Sequence, residues 1–301
     1  MQWIYDNSNT SNLDNTVFII IHCNNEVLLE HILLSFENLN NHFRNISLGI
    51  TNDIVEAIHY QSVTKSIFID ISSDFEDKNF FNNKIKTYGR FQNIIANCIP
   101  THFHDNIGNL SYFAFQRQLV PYDTYICINT NITPSYSLGS INEDIFDCEP
   151  TLRKTNDLFI DLNCLKSGET LDQVQNLPIG ISIDQLCQLI RFTSSSENLQ
   201  NIYFNQTNFN SIHKSNIFST VIWYLCEGID EIYTLKQLPP SYTEYIIELK
   251  SSRSTLYFRV NNITEQWEVR SNESDKYEPC TRKDYDDALD GKEDFIGRLL
   301  L

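Results

Sequence analysis

The strongest constraint on the fold is a series of short, unbroken apolar runs. "VFIIIH" (17–22), "IFIDI" (67–71), "IIANCI" (94–99), "TYICIN" (124–129), "LFIDL" (158–162), "NIYFN" (201–205) and "EYIIEL" (244–249) each have the length of one strand. A strand with one wet face alternates apolar and polar residues, whereas a strand covered on both faces reads as a continuous apolar run. Between the runs lie stretches with helical spacing. In "SIDQLCQLIRF" (182–192), Ile183, Leu186, Leu189 and Ile190 fall on one stripe, and Ser182 with Gln185 has the form of a capping box. "IHKSNIFSTVIWYLCEGI" (212–229) predicts a second helix, closed by Gly228. Strands alternating with helices predict an α/β fold with a mostly parallel sheet flanked by helices.

The end of the chain differs in character. "STLYFRVNNITEQWEVRS" (254–271) predicts a short antiparallel hairpin around "NNIT". "CTRKDYDDALDG" (280–291) predicts a helix capped by Thr281, with Asp284 in the reciprocal position. No linker, repeat or low-complexity stretch interrupts residues 1–301, so one domain is expected.

Composition narrows the function classes. With 41% hydrophobic and 12% aromatic residues, 301 residues can bury a large core. The formal net charge of −17 argues against nucleic acid and against anionic membrane surfaces as partners. No stretch approaches the roughly 20 apolar residues of a membrane span. The opening "MQWIYDNSNTSN" has neither the basic nor the apolar region of a secretory signal. The eight cysteines form no CxxC pair and mostly lie in apolar runs, as free thiols do in a reducing compartment. The chain therefore reads as cytoplasmic.

Three loops after apolar runs carry polar groups, at the strand ends where open α/β sheets place their sites. "THFHDN" (101–106) offers His102, His104 and Asp105, which reach one metal only if the loop curls; a solvated turn is the plainer account. "INTNIT" (128–133) offers the amides Asn129 and Asn131, poor ligands without carboxylates beside them. In "DLFIDLNCLKSGE" (157–169), Asp161 and Asn163 share one face if the strand continues through them. Two carboxylates so placed would chelate a divalent cation, but the second group here is an amide. Cys164 would be a nucleophile only with a histidine base nearby, and an inert core thiol is the simpler reading. No GxSxG or glycine-rich phosphate loop occurs.

Several longer stretches resemble one family. "FIDLNCLKSGETLDQVQNLPIGISIDQLCQLIRFTSSSENLQNIYF" (159–204) is similar to the metal-binding strand, Pro-x-Gly turn (Pro178, Gly180) and following helix of the arginase, agmatinase and formimidoylglutamase superfamily, the ureohydrolases. "FSTVIWYLCEGI" (218–229) and "YEPCTRKDYDDALDGK" (277–292) resemble the formimidoylglutamase-like branch of Bacteroidetes-type bacteria. The resemblance covers about residues 90 to 295 and leaves 1–90 as a divergent part. It implies a three-layer α/β/α sandwich and marks where a binuclear manganese centre would lie. There two ions share a water, lower its pKa and deliver hydroxide to a guanidino or formimino carbon.

Residue by residue, the same resemblance places the first metal motif on Thr101 to Asp105, keeping His104 but neither glycine. The second falls on Asn129, Asn131 and Thr133, with no ligand kept, and the third on Asp161 and Asn163, with one kept. The glutamate that orients substrate falls on Phe204. Two dications need several anionic ligands. His104 and Asp161, with His102, Asp105 and Asn163 as neighbours, are a remnant set that leaves such a pair uncompensated.

The expectation is thus a catalytically silent ureohydrolase fold with no catalytic residue and no cofactor. It would serve as a binding or assembly component with an unknown protein partner or as a homo-oligomer. The aromatic helix with Phe218, Trp223 and Tyr224 is a candidate contact surface, with core packing the plainer account. The alternative is a hydrolase of guanidino or formimino C–N bonds using manganese at a rearranged site. A weaker third idea is a small-ligand sensor in the vacated pocket.

Overall fold

The computed structural model describes residues 1–5, 16–40, 42–63, 66–73, 90–96, 109–120, 134–170, 178–205, 212–249 and 254–292. The central sheet contains nine described strands: β1 (Gln2–Tyr5), β2 (Val17–His22), β3 (Ile46–Thr51), β4 (Ser66–Ser73), β5 (Phe91–Ile95), β6 (Asn109–Phe115), β7 (Tyr136–Ser137), β8 (Asp157–Ile160) and β9 (Asn201–Asn205). Their order is β1-β3-β2-β4-β9-β8-β5-β6-β7. Only the β1–β3 pairing is antiparallel.

The apolar runs are unbroken because each strand is covered twice. Ile19, Ile21, Ile69, Leu158, Ile160, Ile202 and Phe204 join one cluster beneath helices α1 (Glu26–Glu37), α3 (Ile183–Ser194) and α4 (Ile212–Lys236). Phe18, Ile20, Phe68, Phe159 and Tyr203 alternate with them and face the other way, with Ala57 of helix α2 (Ile54–Val63). The result is the expected helix–sheet–helix layering. Burying each such side chain contributes about 1.5–3 kcal/mol. Trp223 belongs to this packing: its Nε1 donates to the Asn40 carbonyl at 2.6 Å, and Phe218 is fully enclosed.

Several sequence expectations change. The strand expected over 94–99 is Phe91–Ile95, and that over 158–162 is Asp157–Ile160, ending where Asp161 caps a turn. The run 244–249 is not in the parallel sheet. It belongs to β10 (Tyr242–Glu248), the edge of a separate antiparallel sheet with β11 (Thr255–Asn261), β12 (Trp267–Ser271) and β13 (Glu278–Cys280). Its alternation gives the reason: Ile247 is buried while Ile246 is 67% exposed, so only one face is covered. The expected hairpin is the middle of this sheet. Helix α5 (Arg282–Leu289) packs on it with its Thr281–Asp284 capping box formed. Arg153 Nη2 donates to the Trp267 carbonyl at 2.6 Å and Lys154 pairs with Glu278 at 2.6 Å, joining the sheet to the body. The run 124–129 lies outside the described residues.

Gly228 does not end its helix, which continues to Lys236. It lets α4 approach α3, since a Cβ there would meet Ser194 Oγ at 2.1 Å. Gly228→Ala should therefore cost about 1–3 kcal/mol in urea unfolding, although alanine is the better helix former by about 1 kcal/mol. An unchanged midpoint would show that the helices separate at no cost.

Candidate functional site

The carboxyl edge of the sheet, where loops leave the strands, is polar on the face shared with Phe68, Phe159 and Tyr203. His22 ends β2, Thr51 ends β3, Asp70 lies on β4, Asn205 ends β9 and Asp161 follows β8. Connections diverge at two places along this edge. The chain leaves β8 toward β9 and β5 toward β6, which opens a crevice between β8 and β5. It leaves β2 toward β3 and β4 toward β5, which opens a second one.

Asp161 stands at the first crevice. Its backbone N–H donates to the Ile95 carbonyl of β5 at 2.9 Å. The strand stops before Asn163, which lies in the 3-10 turn Leu162–Cys164, so the two side chains do not share a strand face as the sequence suggested. Asp161 instead caps that turn, with Oδ1 accepting from the Asn163 backbone N–H at 2.9 Å. Its Oδ2 accepts from Asn205 Nδ2 at 3.4 Å. Asn205 is 5% exposed and its Oδ1 has no hydrogen-bond partner. A buried carbonyl in that state favours an incoming N–H donor or a cation.

Phe204 is one residue from Asn205 and faces the opposite way. It is fully buried against Phe218, ring centroids 4.9 Å apart in an edge-to-face pair. The residue that β9 presents to the crevice is Asn205, which the sequence reading passed over; strand alternation from Tyr203 was the signal available. His102, His104 and Asp105 lie outside the described residues, in the stretch of sequence that follows β5, as do Asn129, Asn131 and Thr133.

Cys164 is enclosed, and burial, then the Asp161 charge, pushes its thiol far up, away from thiolate chemistry. The other described cysteines, Cys23, Cys148, Cys187, Cys226 and Cys280, are also buried and form no disulfide. Gly180 lets the chain after the Pro178 turn run against the backbone of Cys164–Lys166, where a Cβ would lie 2.5 Å from the Cys164 carbonyl oxygen. That contact fixes the turn Asp161 caps.

The donors described at this crevice are one carboxylate, with both oxygens already accepting, and one neutral amide. A pair of manganese ions needs several anionic ligands, of which the described residues here supply one. Among the described residues no group of three His, Cys, Asp or Glu side chains could hold a metal. A cavity of about 540 Å³, lined by Arg191, Gly228 and Trp267, opens between α3, α4 and the antiparallel sheet.

This sheet order and layering are those of an arginase-like α/β fold, in divergent form. Formiminoglutamase of Trypanosoma cruzi, solved with Mn2+, superposes with TM-score 0.56 at 9% identity, over 74% of this chain and 96% of that one. Formimidoylglutamase of Bacillus subtilis gives 0.53 at 11% identity over 75% and 89%. Agmatine ureohydrolase of Thermoplasma volcanium gives 0.52 at 12% over 79% and 97%. No protein-family model and no curated protein sequence matches the chain. No described helix is long and apolar enough to cross a membrane.

Proposed function

We infer that this is a ureohydrolase-fold protein that has left binuclear metal hydrolysis and acts by binding, as an interaction or assembly component. One observation carries the reading: among the described residues around Asp161, the neighbouring polar side chains are the neutral amides Asn163 and Asn205, and the carboxylate itself caps a turn. A bridging hydroxide near neutral pH needs two closely held dications, and neutral amides do not hold them. The partner is a protein or a second copy of this chain, at a cytoplasmic location.

The test is metal content and melting temperature of the purified protein. Wild-type protein should carry substoichiometric manganese and zinc, and adding Mn2+ should leave its melting temperature unchanged. Urea and formamide release from arginine, agmatine and formimino substrates should stay at the blank. The opposite reading, a rearranged hydrolase using His102, His104, Asp105 and Asp161, draws on the open carbonyl of Asn205 and on β5 lying beside β8. It requires bound metal that His104→Ala abolishes. Mn2+ at 100 times its Kd would then stabilise by about 2.7 kcal/mol, a shift of roughly 5 °C.

A further inference from the structure

The second crevice, between β2 and β4, carries no motif of the family resemblance, yet it holds an ordered histidine–carboxylate pair. His22 and Asp70 are direct neighbours across the two parallel strands. Nδ1 of His22 lies 3.0 Å from Asp70 Oδ1. The ring is 7% exposed and stacks on Phe68, with centroids 6.3 Å apart and planes 23° off parallel, so its orientation is fixed. An ionised carboxylate can only accept, which places a proton on Nδ1, and in the neutral ring the lone pair is then on Nε2. Among the described residues no hydrogen bond reaches Nε2, and it is not one of their fully enclosed unpartnered polar atoms.

The surroundings restrict what Nε2 can meet. Crevices of this kind commonly take phosphates at helix N-termini, but both nearby helices have filled theirs. Asn25 caps α1 through the Leu28 N–H at 3.1 Å, and Glu26 occupies its first turn. Asp53 caps α2 through the Val55 N–H at 2.8 Å, and Glu56 occupies its first turn. Thr51, level with His22 on β3, gives its hydroxyl to Glu56 at 2.6 Å. Glu56 in turn holds the Met1 ammonium at 2.7 Å, so neither helix N-terminus is left open there to receive an anion. Cys23 is no nucleophile there: its thiol donates to the Asn25 carbonyl at 3.2 Å, and burial pushes its pKa up.

We propose that the β2/β4 crevice is a second, proton-accepting site. His22 Nε2 takes a proton from water or from a hydroxyl group of an uncharged or cationic ligand, and Asp70 is the positioning residue. The proposal uses none of the residues around Asp161, so it stands whether or not the reading of that crevice does.

The probe is p-nitrophenyl acetate, an uncharged activated ester, with the full chain. Water gives its proton to Nε2 as its oxygen bonds to the acyl carbon; the ester C–O bond breaks, p-nitrophenolate leaves with the electron pair, and the imidazolium returns its proton to solvent. The protein should accelerate release over buffer, and His22→Ala and His22→Gln should each remove most of that acceleration, at least about 10-fold. Asp70→Asn should lower it similarly and shift the His22 tautomer away from Nδ1–H in nitrogen-15 NMR, a change that a packing role would not produce. No acceleration by wild type, or acceleration kept in the His22 variants, overturns the proposal. If those variants do not fold, diethyl pyrocarbonate on wild type decides: carbethoxylated His22 in the peptide map supports an available Nε2, and unmodified His22 beside modified surface histidines overturns it.

Discussion

Phe204→Glu should not fold, and it should gain no metal or substrate binding. Placing a glutamate where the ureohydrolase resemblance expects one looks like a repair, but the side chain at 204 is wholly buried under α4. Removing a buried phenylalanine costs about 3–5 kcal/mol, and an unpaired carboxylate in its place adds several more. Against a typical total of about 5–15 kcal/mol, that is unfolding. Phe204→Ala should fold with about 4 kcal/mol lost in urea. Asn205→Asp is the informative contrast. It leaves the core intact and sets a second carboxylate beside Asp161, since Asn205 Nδ2 and Asp161 Oδ2 are already 3.4 Å apart. Repulsion should lower its melting temperature, and Mn2+ should restore it where wild type shows no response. Soluble, helical Phe204→Glu protein by circular dichroism would refute the assignment of faces.

Asp157→Ala should cost about 3–5 kcal/mol, with the unfolding slope unchanged. Asp157 starts the same strand that Asp161 ends, yet it is fully committed. Its Oδ2 accepts from Arg90 Nε at 2.8 Å and Gln92 Nε2 at 3.3 Å, and its Oδ1 from Arg90 Nη2 at 2.5 Å and Asn201 Nδ2 at 2.6 Å. Its side chain is 5% exposed, and Arg90 is 23% exposed. Removing the carboxylate takes one partner each from β5 and β9 and leaves a partly buried guanidinium without its counter-charge. Arg90→Ala should cost a similar amount, and the double variant should cost less than the two singles summed, because each single already loses the pair. Additive losses would mean the pair contributes nothing as a pair.

The two aspartates also show where sequence reasoning ran out. Both interrupt one apolar run, "DLFIDL", with nothing local to separate them. Their side chains meet groups distant in sequence, Arg90 67 positions from Asp157 and Asn205 44 from Asp161. The shift from Phe204 to Asn205 has the same origin. A strand alternates every residue, so an assignment one residue out reverses every face. His22 and Asp70, 48 residues apart, were invisible for the same reason.

What the sequence determined by itself is the information held within a turn or a run. The capping boxes at Ser182–Gln185 and Thr281–Asp284, the unbroken apolar runs of doubly covered strands and the 254–271 hairpin were all legible, because their causes lie within a few residues. The tertiary structure alone decided which way each strand faces, that 244–249 leaves the parallel sheet, that Gly228 is a helix contact rather than a helix end, and which polar groups meet at the carboxyl edge. Those outcomes depend on pairing register and on distant neighbours, and a linear pattern carries neither.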